Sequence, residues 1–378
     1  METVIDLELC TQATPSEFQA CVNRVLARGA QGLLVLACDA DGWTAEGLDP
    51  ILRDVPVPLM GGIFPNVIHE GTWLEGGTLI VGLGAPFEVA LVRDLSAQPD
   101  DLDERLRQAG VSADPGQGLV ILVDGLTRNI ERYVESVYSL VGTASGVLGC
   151  GAGSLDFVQK PCLFTNHGLI GDAALLARMP FRLHRGVNHG WETLKGPFLV
   201  TSSRANVLET LNYTPAFQLY RDLVEAESGL SFAEHDFFAI AKTYPLGIEC
   251  LDSEILVRDP IRVEGDTLVC VGEVPENSMV YLLKGDGQRL TESAGVAAAE
   301  ARESYADTGA AVPPSVMIFD CVSRVLFLGE AFDSEMRAID AGLGEHRHVF
   351  GALTLGEITN TRSGPISLLN KSTVIGTF

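Results

Sequence analysis

Three segments of the chain repeat the same order of apolar and polar positions. Each begins with an apolar run of strand length that ends in a polar turn, and after a connector a second apolar run leads to a glycine. The first runs with their turns are Gly32–Gly42, Gly118–Arg128 and Ser315–Arg324, and the glycines are Gly61, Gly149 and Gly351. Short apolar runs bounded by turn residues predict buried strands.

A third apolar run follows each of these glycines after a polar turn, in residues 77–83, 168–176 and 370–376. Strands that return directly, without a long helix between them, favour mixed sheets. Helical periodicity gives residues 15–28, 129–140 and 292–306 one apolar face each. We therefore predict a mixed α/β fold with helices on the outer faces of the sheets and an internal strand-helix-strand-strand repeat. The alternative to an internal repeat is that apolar runs followed by glycine are common in α/β proteins in general.

The chain is long enough for two domains of ordinary size, since it has 378 residues. The first two repeated segments precede a stretch around Met179–Arg185, and a different pattern begins at His189. We place a boundary in this stretch and predict two α/β domains, 1–180 and 181–378.

The charge of the chain narrows the choice of partners. Acidic residues outnumber basic ones by 50 to 26, which gives a formal net charge of −24. A chain this acidic repels phosphate backbones, so we expect no nucleic-acid partner. Apolar runs stay below the ~20 residues of a membrane span, and the first residues are acidic where a secretory signal is basic. We expect a cytoplasmic protein without membrane insertion.

Cysteine and histidine spacing gives no sign of a metal site. Eight cysteines lie mostly in apolar runs and form no CxxC pair or zinc-ribbon spacing. This distribution is typical of reduced, buried thiols. His346 and His348 lie beside charged residues, which indicates a solvated loop rather than a pair of metal ligands.

Polar side chains cluster at the ends of the apolar runs in the last third of the chain. Cys321 and Arg324 follow one run, Glu357 lies between two others, and Asn370 and Thr373 lie before the last run. Side chains at the ends of neighbouring strands can converge on a pocket. We predict that these five residues bind a ligand, and we predict no catalytic residue.

Two alternatives at this site stay open. Arg324 and Glu357 either form a buried ion pair, or Arg324 binds a ligand carboxylate while Glu357 receives an amine. Cys321 is either a packed thiol or a nucleophilic thiolate whose pKa is lowered by the arginine.

His189 is a second kind of candidate, because it lies directly before an apolar run at residues 196–201. A histidine in such surroundings can ligate haem iron, or it can be a structural imidazole with its hydrogen bonds satisfied. Haem is therefore a candidate cofactor, with His189 as its candidate ligand.

Together these motifs resemble those of the FIST sensory proteins (F-box and intracellular signal transduction), and the resemblance extends over almost the whole chain. The N-terminal part resembles the FIST N region at Leu122–Leu126 and Gly146–Ser154. The C-terminal part resembles FIST C at His189–Trp191, Leu211–Phe217, Tyr244–Ile248, Cys321–Arg324, Gly356–Ile358 and Asn370–Thr373.

The resemblance implies a sensor of small molecules, with amino acids as suspected ligands. One branch of similar stand-alone proteins binds haem, senses nitric oxide and regulates a separate histidine kinase. Two positions depart from the family pattern, since Ser154 and Asn212 stand where FIST proteins usually carry acidic residues.

Once both FIST regions are placed, no stretch remains for an output module, so we expect a stand-alone sensor that acts through a separate signalling protein. Two other hypotheses are an enzyme that uses the Cys321 thiol and an adaptor that binds a kinase without any ligand. The sequence does not indicate the oligomeric state.

Overall fold

The computed structural model describes residues 3–97, 101–112, 116–143, 146–250, 255–309, 314–346, 348–361 and 364–378. Its helices are α1 (Pro15–Ala27), α2 (Ala45–Asp54), α3 (Leu102–Gln108), α4 (Ile130–Val141), α5 (Ala216–Ser228), α6 (Phe237–Ala241), α7 (Gly287–Ala306), α8 (Val322–Leu328) and α9 (Phe332–Leu343).

The strands before residue 180 are β1 (Val4–Cys10), β2 (Gly32–Cys38), β3 (Leu59–Phe64), β4 (Asn66–His69), β5 (Thr72–Leu74), β6 (Thr78–Leu83), β7 (Glu88–Arg93), β8 (Gly118–Asp124), β9 (Val147–Ala152), β10 (Leu163–Thr165), β11 (Gly168–Ile170) and β12 (Ala173–Met179). The later strands are β13 (His184–Asn188), β14 (Glu192–Arg204), β15 (Val207–Leu211), β16 (Thr214–Pro215), β17 (Leu246–Glu249), β18 (Ile255–Glu264), β19 (Thr267–Val271), β20 (Met279–Lys284), β21 (Ser315–Cys321), β22 (His348–Thr354), β23 (Glu357–Asn360), β24 (Ile366–Leu369) and β25 (Thr373–Thr377).

Three six-stranded sheets share one arrangement. In the first sheet, β2 lies between the parallel strand β3 and the antiparallel strand β6. In the same way β8 lies between β9 and β12, and β21 lies between β22 and β25. A further strand, β1, β7 or β13, extends each sheet beyond the returning strand. The predicted mixed α/β fold and its internal repeat are confirmed.

We name the three copies by their strands. The first repeat contains β1–β6, the second contains β7–β12, and the third contains β13 and β21–β25. Each repeat gives a two-stranded hairpin to another sheet: β4–β5 pairs with β22, β10–β11 with β3, and β23–β24 with β9. The exchange forms a closed ring, so every one of these sheets combines strands from two repeats.

The boundary at residues 180 and 181 lies between β12 and β13. Two of the exchanged hairpins cross it, because β4–β5 joins a sheet of the later part and β23–β24 joins a sheet of the earlier part. The division into domains 1–180 and 181–378 therefore stays a prediction.

The glycines that mark the repeat lie opposite the central strand of each sheet. The pairs are Gly61 with Val35, Gly149 with Ile121, and Gly351 with Ile318. A Cβ atom on these glycines would lie 2.0, 2.5 and 1.8 Å, respectively, from the carbonyl oxygen of the partner residue. Glycine is required here because the two backbones leave no room for a side chain.

In the sheets around β8 and β21 the two faces bury different cores, whereas in the sheet around β2 the residues of both faces belong to one core. Leu34, Val120 and Met317, one from each central strand, join a single apolar core shared by the three repeats. On the opposite face, Ile121 belongs to a core with residues of α4, and Ile318 belongs to a core with residues of α7 and α9. The helices therefore cover the outer faces, as the sequence predicts.

A fourth sheet is inserted into the third repeat between β13 and α7. It consists of β14–β20 and is antiparallel throughout, and β14 pairs with both β20 and β15, so the sheet closes on itself. Its interior holds Leu208 and Val280 together with Tyr220 of α5 and Ile240 of α6. This inserted sheet is the part of the molecule against which the candidate site packs.

Two local features were not predicted. Helix α2 in the connector of the first repeat lies outside the three predicted helical stretches, and Pro50 lies inside it. Cys10 and Cys21 are joined in a disulfide, so the expectation of reduced thiols is wrong for this pair, whereas the other six cysteines are free. Within the described residues, none of the helices combines the length and the apolar composition that crossing a membrane demands.

Candidate functional site

The fold brings the five predicted site residues to one buried region of the third repeat. Cys321 ends β21, and the turn of helix that follows carries Arg324. Glu357 begins β23, while Asn370 and Thr373 flank the turn from β24 to β25. The backbone N–H of Cys321 donates to the carbonyl of Ser372 in that turn at 3.0 Å. All five residues are buried.

Arg324 is held by protein groups on every side of its guanidinium. Its Nε and Nη2 donate to the two carboxylate oxygens of Glu335 on α9, at 2.8 and 2.7 Å. Nη1 donates to the carbonyls of His189 and Lys371 at 2.7 and 3.2 Å, and Nη2 also donates to the carbonyl of Leu290 at 2.7 Å. A bidentate arginine–carboxylate pair is a strong interaction. The ion pair that the sequence suggested exists, but its acid is Glu335 rather than Glu357.

Three carboxyl groups surround this one guanidinium: Asp320, Glu335 and Glu357. Burial and the neighbouring Glu335 raise the pKa of Asp320 well above its usual value. Burial raises the pKa of Glu357 to about 8. Burial therefore favours the protonated, uncharged forms of Asp320 and Glu357.

Glu357 and Cys321 share a small hydrogen-bonded group. Thr354 Oγ1 donates to Oε1 of Glu357 at 2.7 Å, and the backbone N–H of Ser372 donates to Oε2 at 3.3 Å. The Sγ of Cys321 lies 3.1 Å from the hydroxyl of Ser323. Burial, with Glu357 nearby, raises the pKa of Cys321 to about 12, so this cysteine is a thiol at neutral pH.

Asn370 and its neighbour Lys371 join the third repeat to the inserted sheet. Asn370 Nδ2 donates to the carbonyl of Val271 at 3.1 Å. Lys371 is fully buried, and its Nζ lies 3.1 Å from Oδ2 of Asp259 and 4.7 Å from the ring centroid of Trp191. A buried ammonium needs such partners, since burying an unpaired charge is costly. This turn therefore fixes how the inserted sheet sits on the third repeat.

The surroundings of His189 do not fit a haem ligand. The backbone N–H of Trp191 donates to Nδ1 of His189 at 3.0 Å. A neutral imidazole that accepts at Nδ1 carries its proton on Nε2, so neither nitrogen offers a lone pair to iron. A metal-bound histidine normally donates its second ring N–H instead. The carbonyl of His189 is also fixed by Arg324.

A groove of about 440 Å³ lies away from this cluster, between the first and second repeats. Its lining is mixed: apolar side chains come from Val55, Pro56, Val57, Pro58, Leu59, Phe87, Val89, Leu91 and Leu175, and polar groups, including those of Thr165, Asn166 and His167, make up a comparable share of the exposed surface. The Asn166 amide accepts from the backbone N–H of Leu59 at 2.9 Å and donates to the carbonyl of Val57 at 3.0 Å. The ring of His167 is exposed at the rim.

Comparison with known families matches two adjoining segments of the chain. The FIST N domain model matches residues 32–214, and the FIST C domain model matches residues 216–360. The chain belongs to the FIST family. FIST domains are sensory domains of signal transduction rather than catalytic domains. A search of curated proteins found no match.

The border between the two FIST segments, at residue 215, lies inside the inserted sheet, at the end of β16. The FIST N segment therefore contains the first repeat from β2 onward, the second repeat and β13–β15. The FIST C segment contains α7, β21 and β22 of the third repeat and most of the inserted sheet. The candidate cluster lies at this junction, since Arg324 of the FIST C segment donates to the carbonyl of His189 in the FIST N segment.

Four ionisable residues of this buried region were not predicted: Asp259, Asp320, Glu335 and Lys371. A sequence signal exists for Glu335, because it lies on the buried face of α9 with Phe332, Met336 and Ile339. An acid on an apolar helix face indicates a buried partner of opposite charge. No comparable pattern marks Asp259, whose partner is more than a hundred positions away in the sequence.

The raised pKa of Glu357 makes the free energy of unfolding depend on pH in a direction that can be predicted. Between about 4.5 and about 8, the unfolded chain has released the proton of this carboxyl while the folded chain keeps it. The free energy of unfolding therefore falls with rising pH, by at most about 1.4 kcal/mol per pH unit from this group. The glutamine of the Glu357→Gln variant has the shape of the protonated glutamic acid but does not titrate. The free energy of unfolding of the variant, relative to that of wild type, should therefore increase from pH 5 to pH 8.

Urea unfolding of both proteins at several pH values measures this difference. Glu330→Gln, which removes an exposed carboxylate on the same repeat, is the control and should show no such trend. A Glu357→Gln difference that stays constant across this pH range contradicts a protonated Glu357.

Proposed function

We propose that this FIST protein is a sensor that binds a small molecule and regulates a separate signalling protein, such as a histidine kinase. The match to FIST N and FIST C over residues 32–214 and 216–360 carries the proposal, because it assigns nearly the whole chain to sensory domains. The fold adds support, since the third repeat and the inserted sheet meet at buried charged groups that any movement between them would disturb.

The groove between the first and second repeats is the ligand site that the geometry supports best. Ligand pockets are concave and mostly apolar, with a few polar groups that fix orientation. Here apolar and polar groups line the groove in similar proportion, and the exposed side chain of His167 can hydrogen-bond a ligand. The groove therefore suits a compact molecule that has both an apolar part and a polar group.

An amino-acid-like ligand remains a candidate for the cluster of Cys321, Arg324, Glu357, Asn370 and Thr373. Such a ligand would have to replace Glu335 on Arg324 and to contact Glu357, which is buried and hydrogen-bonded. Haem with nitric oxide is the third candidate, and the hydrogen bond to Nδ1 argues against His189 as its ligand. The high pKa of Cys321 gives no support to a thiol-dependent enzyme.

Thermal unfolding in the presence of small molecules tests the proposal. Free amino acids, small apolar compounds, and haemin with and without a nitric-oxide donor form the panel, and absorption spectra accompany the haemin samples. A ligand at a hundred times its Kd adds about 2.7 kcal/mol of stability, which raises Tm by a measurable amount. We expect an apolar compound to raise the Tm of wild type.

Two arginine variants locate the binding. Val89→Arg fills the groove, whereas Gln19→Arg adds the same side chain on the exposed face of α1. The stabilising compound should lose its effect on Val89→Arg and keep it on Gln19→Arg. Equal stabilisation of both variants places the ligand elsewhere, and a panel without any stabilising compound contradicts the sensor.

A further inference from the structure

The second repeat carries a loop that the other two repeats lack. Between the second strand and the exchanged hairpin, the first repeat has only Pro65, and the third repeat has only Leu355 and Gly356. At the same place the second repeat has residues 153–162, between β9 and β10. Because the short connections make the same crossing, the extra residues of this 153–162 loop are not needed to build the fold.

The 153–162 loop exposes apolar side chains. Leu155, Phe157 and Val158 are 38 %, 56 % and 59 % exposed, within four consecutive positions. Single exposed apolar residues are ordinary, but a contiguous apolar group on a protein surface usually marks an interaction site. Phe157 also has a φ of +54°, a conformation that is unusual for a bulky residue.

Hydrogen bonds hold this loop in one shape. Oδ1 of Asp156 accepts from the hydroxyl of Ser154 and, at 2.9 Å, from the backbone N–H of Val158. Lys160 Nζ lies 3.2 Å from the other oxygen of Asp156 and 2.9 Å from Asp39, which follows β2. Because the loop is ordered beforehand, it loses little conformational entropy when it binds.

The charge around the 153–162 loop indicates what kind of molecule binds there. The two acidic residues Asp39 and Asp156 lie beside the single basic residue Lys160, so their summed charge is negative, and the whole chain has a net charge of −24. A second copy of the chain carries the same charge and is repelled, as is an anionic lipid surface. A protein with basic side chains around its binding pocket is attracted instead.

The size of the apolar group also limits the partner. A stable interface buries roughly 800 Å² on each side, and three side chains cover only part of that area. The partner must therefore surround the loop, with Phe157 in a pocket of its own, since buried aromatic anchors provide most of the binding energy at such interfaces.

We propose that residues 155–158 dock this sensor onto a separate protein that has an apolar pocket for Phe157 and basic side chains at the rim of that pocket. The inference rests on the proposed function, in which the output acts through a partner, and it assigns the surface that the partner uses.

Photo-crosslinking identifies the partner at single-residue resolution. A benzoyl-phenylalanine replaces Phe157 in the full chain, and in the control protein it replaces Tyr213, which is 85 % exposed on the inserted sheet. Both proteins are irradiated in cells of the source organism. We expect one protein adduct at position 157 that is absent at position 213. No such adduct, or an adduct with a second copy of the chain, overturns the proposal.

The crosslinked protein is then purified and titrated against variants of the full chain. The triple variant Leu155→Ser, Phe157→Ser, Val158→Ser should bind at least about 30-fold more weakly than wild type, as expected for a central anchor. Tyr213→Ser should bind like wild type. The wild-type affinity should fall as salt rises from about 50 to about 500 mM. Equal binding of the partner by the triple variant and wild type overturns the proposal. A second measurement uses vesicles of phosphatidylcholine and phosphatidylserine, and the proposal is also overturned if the triple variant loses binding to these vesicles but not to the partner.

The thermal response to small molecules separates this inference from the proposed function. The triple variant changes only exposed side chains, so its Tm and its response to a ligand in the groove should match wild type. If wild type binds the partner and no compound alters its Tm, the docking surface stands and the sensor function fails.

Discussion

Replacing Gly351 with alanine is expected to destabilise the protein more than any other single methyl group added to the repeat. The new Cβ would lie 1.8 Å from the carbonyl oxygen of Ile318 and 2.9 Å from its backbone nitrogen, and neither atom can move without parting β21 from β22. Overpacking a core typically costs about 1–3 kcal/mol. A contact with backbone atoms at this distance should reach or exceed the upper end of that range.

The equivalent glycines of the other two repeats allow the loss of stability to be compared with the distance between the added Cβ and the carbonyl oxygen. The Cβ-to-oxygen distance is 2.0 Å at Gly61 and 2.5 Å at Gly149, so the loss of stability should decrease in the order Gly351→Ala, Gly61→Ala, Gly149→Ala. Urea unfolding monitored by circular dichroism gives the free energy of unfolding for each variant.

Gly287→Ala is the matched control for this series. It lies at the start of α7, where the nearest atom is 3.5 Å away, and alanine favours the helix. It should leave the midpoint of unfolding unchanged or raise it slightly. A Gly351→Ala protein with the wild-type midpoint would show that the strands can separate at little cost.

Replacing Arg324 with methionine is expected to cost about 3–5 kcal/mol, the range for breaking a buried ion pair. Methionine fills much of the same space but donates no hydrogen bond. It leaves the carboxylate of Glu335 buried without its bidentate partner, and it leaves the carbonyl of Leu290 without the bond from Nη2. The same change at Arg337, which is exposed on α9, should cost less than about 0.5 kcal/mol.

A double-mutant cycle isolates the pair itself. Glu335→Gln in the Arg324→Met background removes the unpaired charge, so the double variant should be more stable than the sum of the two single losses predicts. Urea unfolding of the four proteins gives the coupling energy. Strict additivity would mean that Arg324 contributes only through its carbonyl contacts.

The sequence was sufficient for those features whose cause is local. The backbone contact that requires glycine recurs once in each repeat, so Gly61, Gly149 and Gly351 marked the second strand correctly in all three. Helices α1 and α4 were found because one face of each is continuously apolar. Helix α2 was missed because Pro50 and Gly47 are residues that ordinarily disfavour a helix interior.

Features that depend on distant segments were not accessible. The sequence placed Arg324 in the predicted site and offered an ion pair with Glu357 as one of two alternatives, since any acid in the region satisfies the same chemistry and only the packing of α9 selects Glu335. The strand β11 was assigned to the returning strand at residues 168–176, because the short turn between β11 and β12 has no signature of its own within an apolar stretch. Ligand contact by the five predicted residues remains a prediction.

The ring of exchanged hairpins constrains how this chain is made. During translation β4, which begins at residue 66, is synthesised early, whereas its pairing partner β22 begins only at residue 348. The hairpin β4–β5 must therefore stay unpaired at one edge during most of translation, when unprotected strand edges favour aggregation. The protein is expected to depend on chaperones that hold nascent chains, and fragments cut between repeats should be insoluble even though each retains its own central strand.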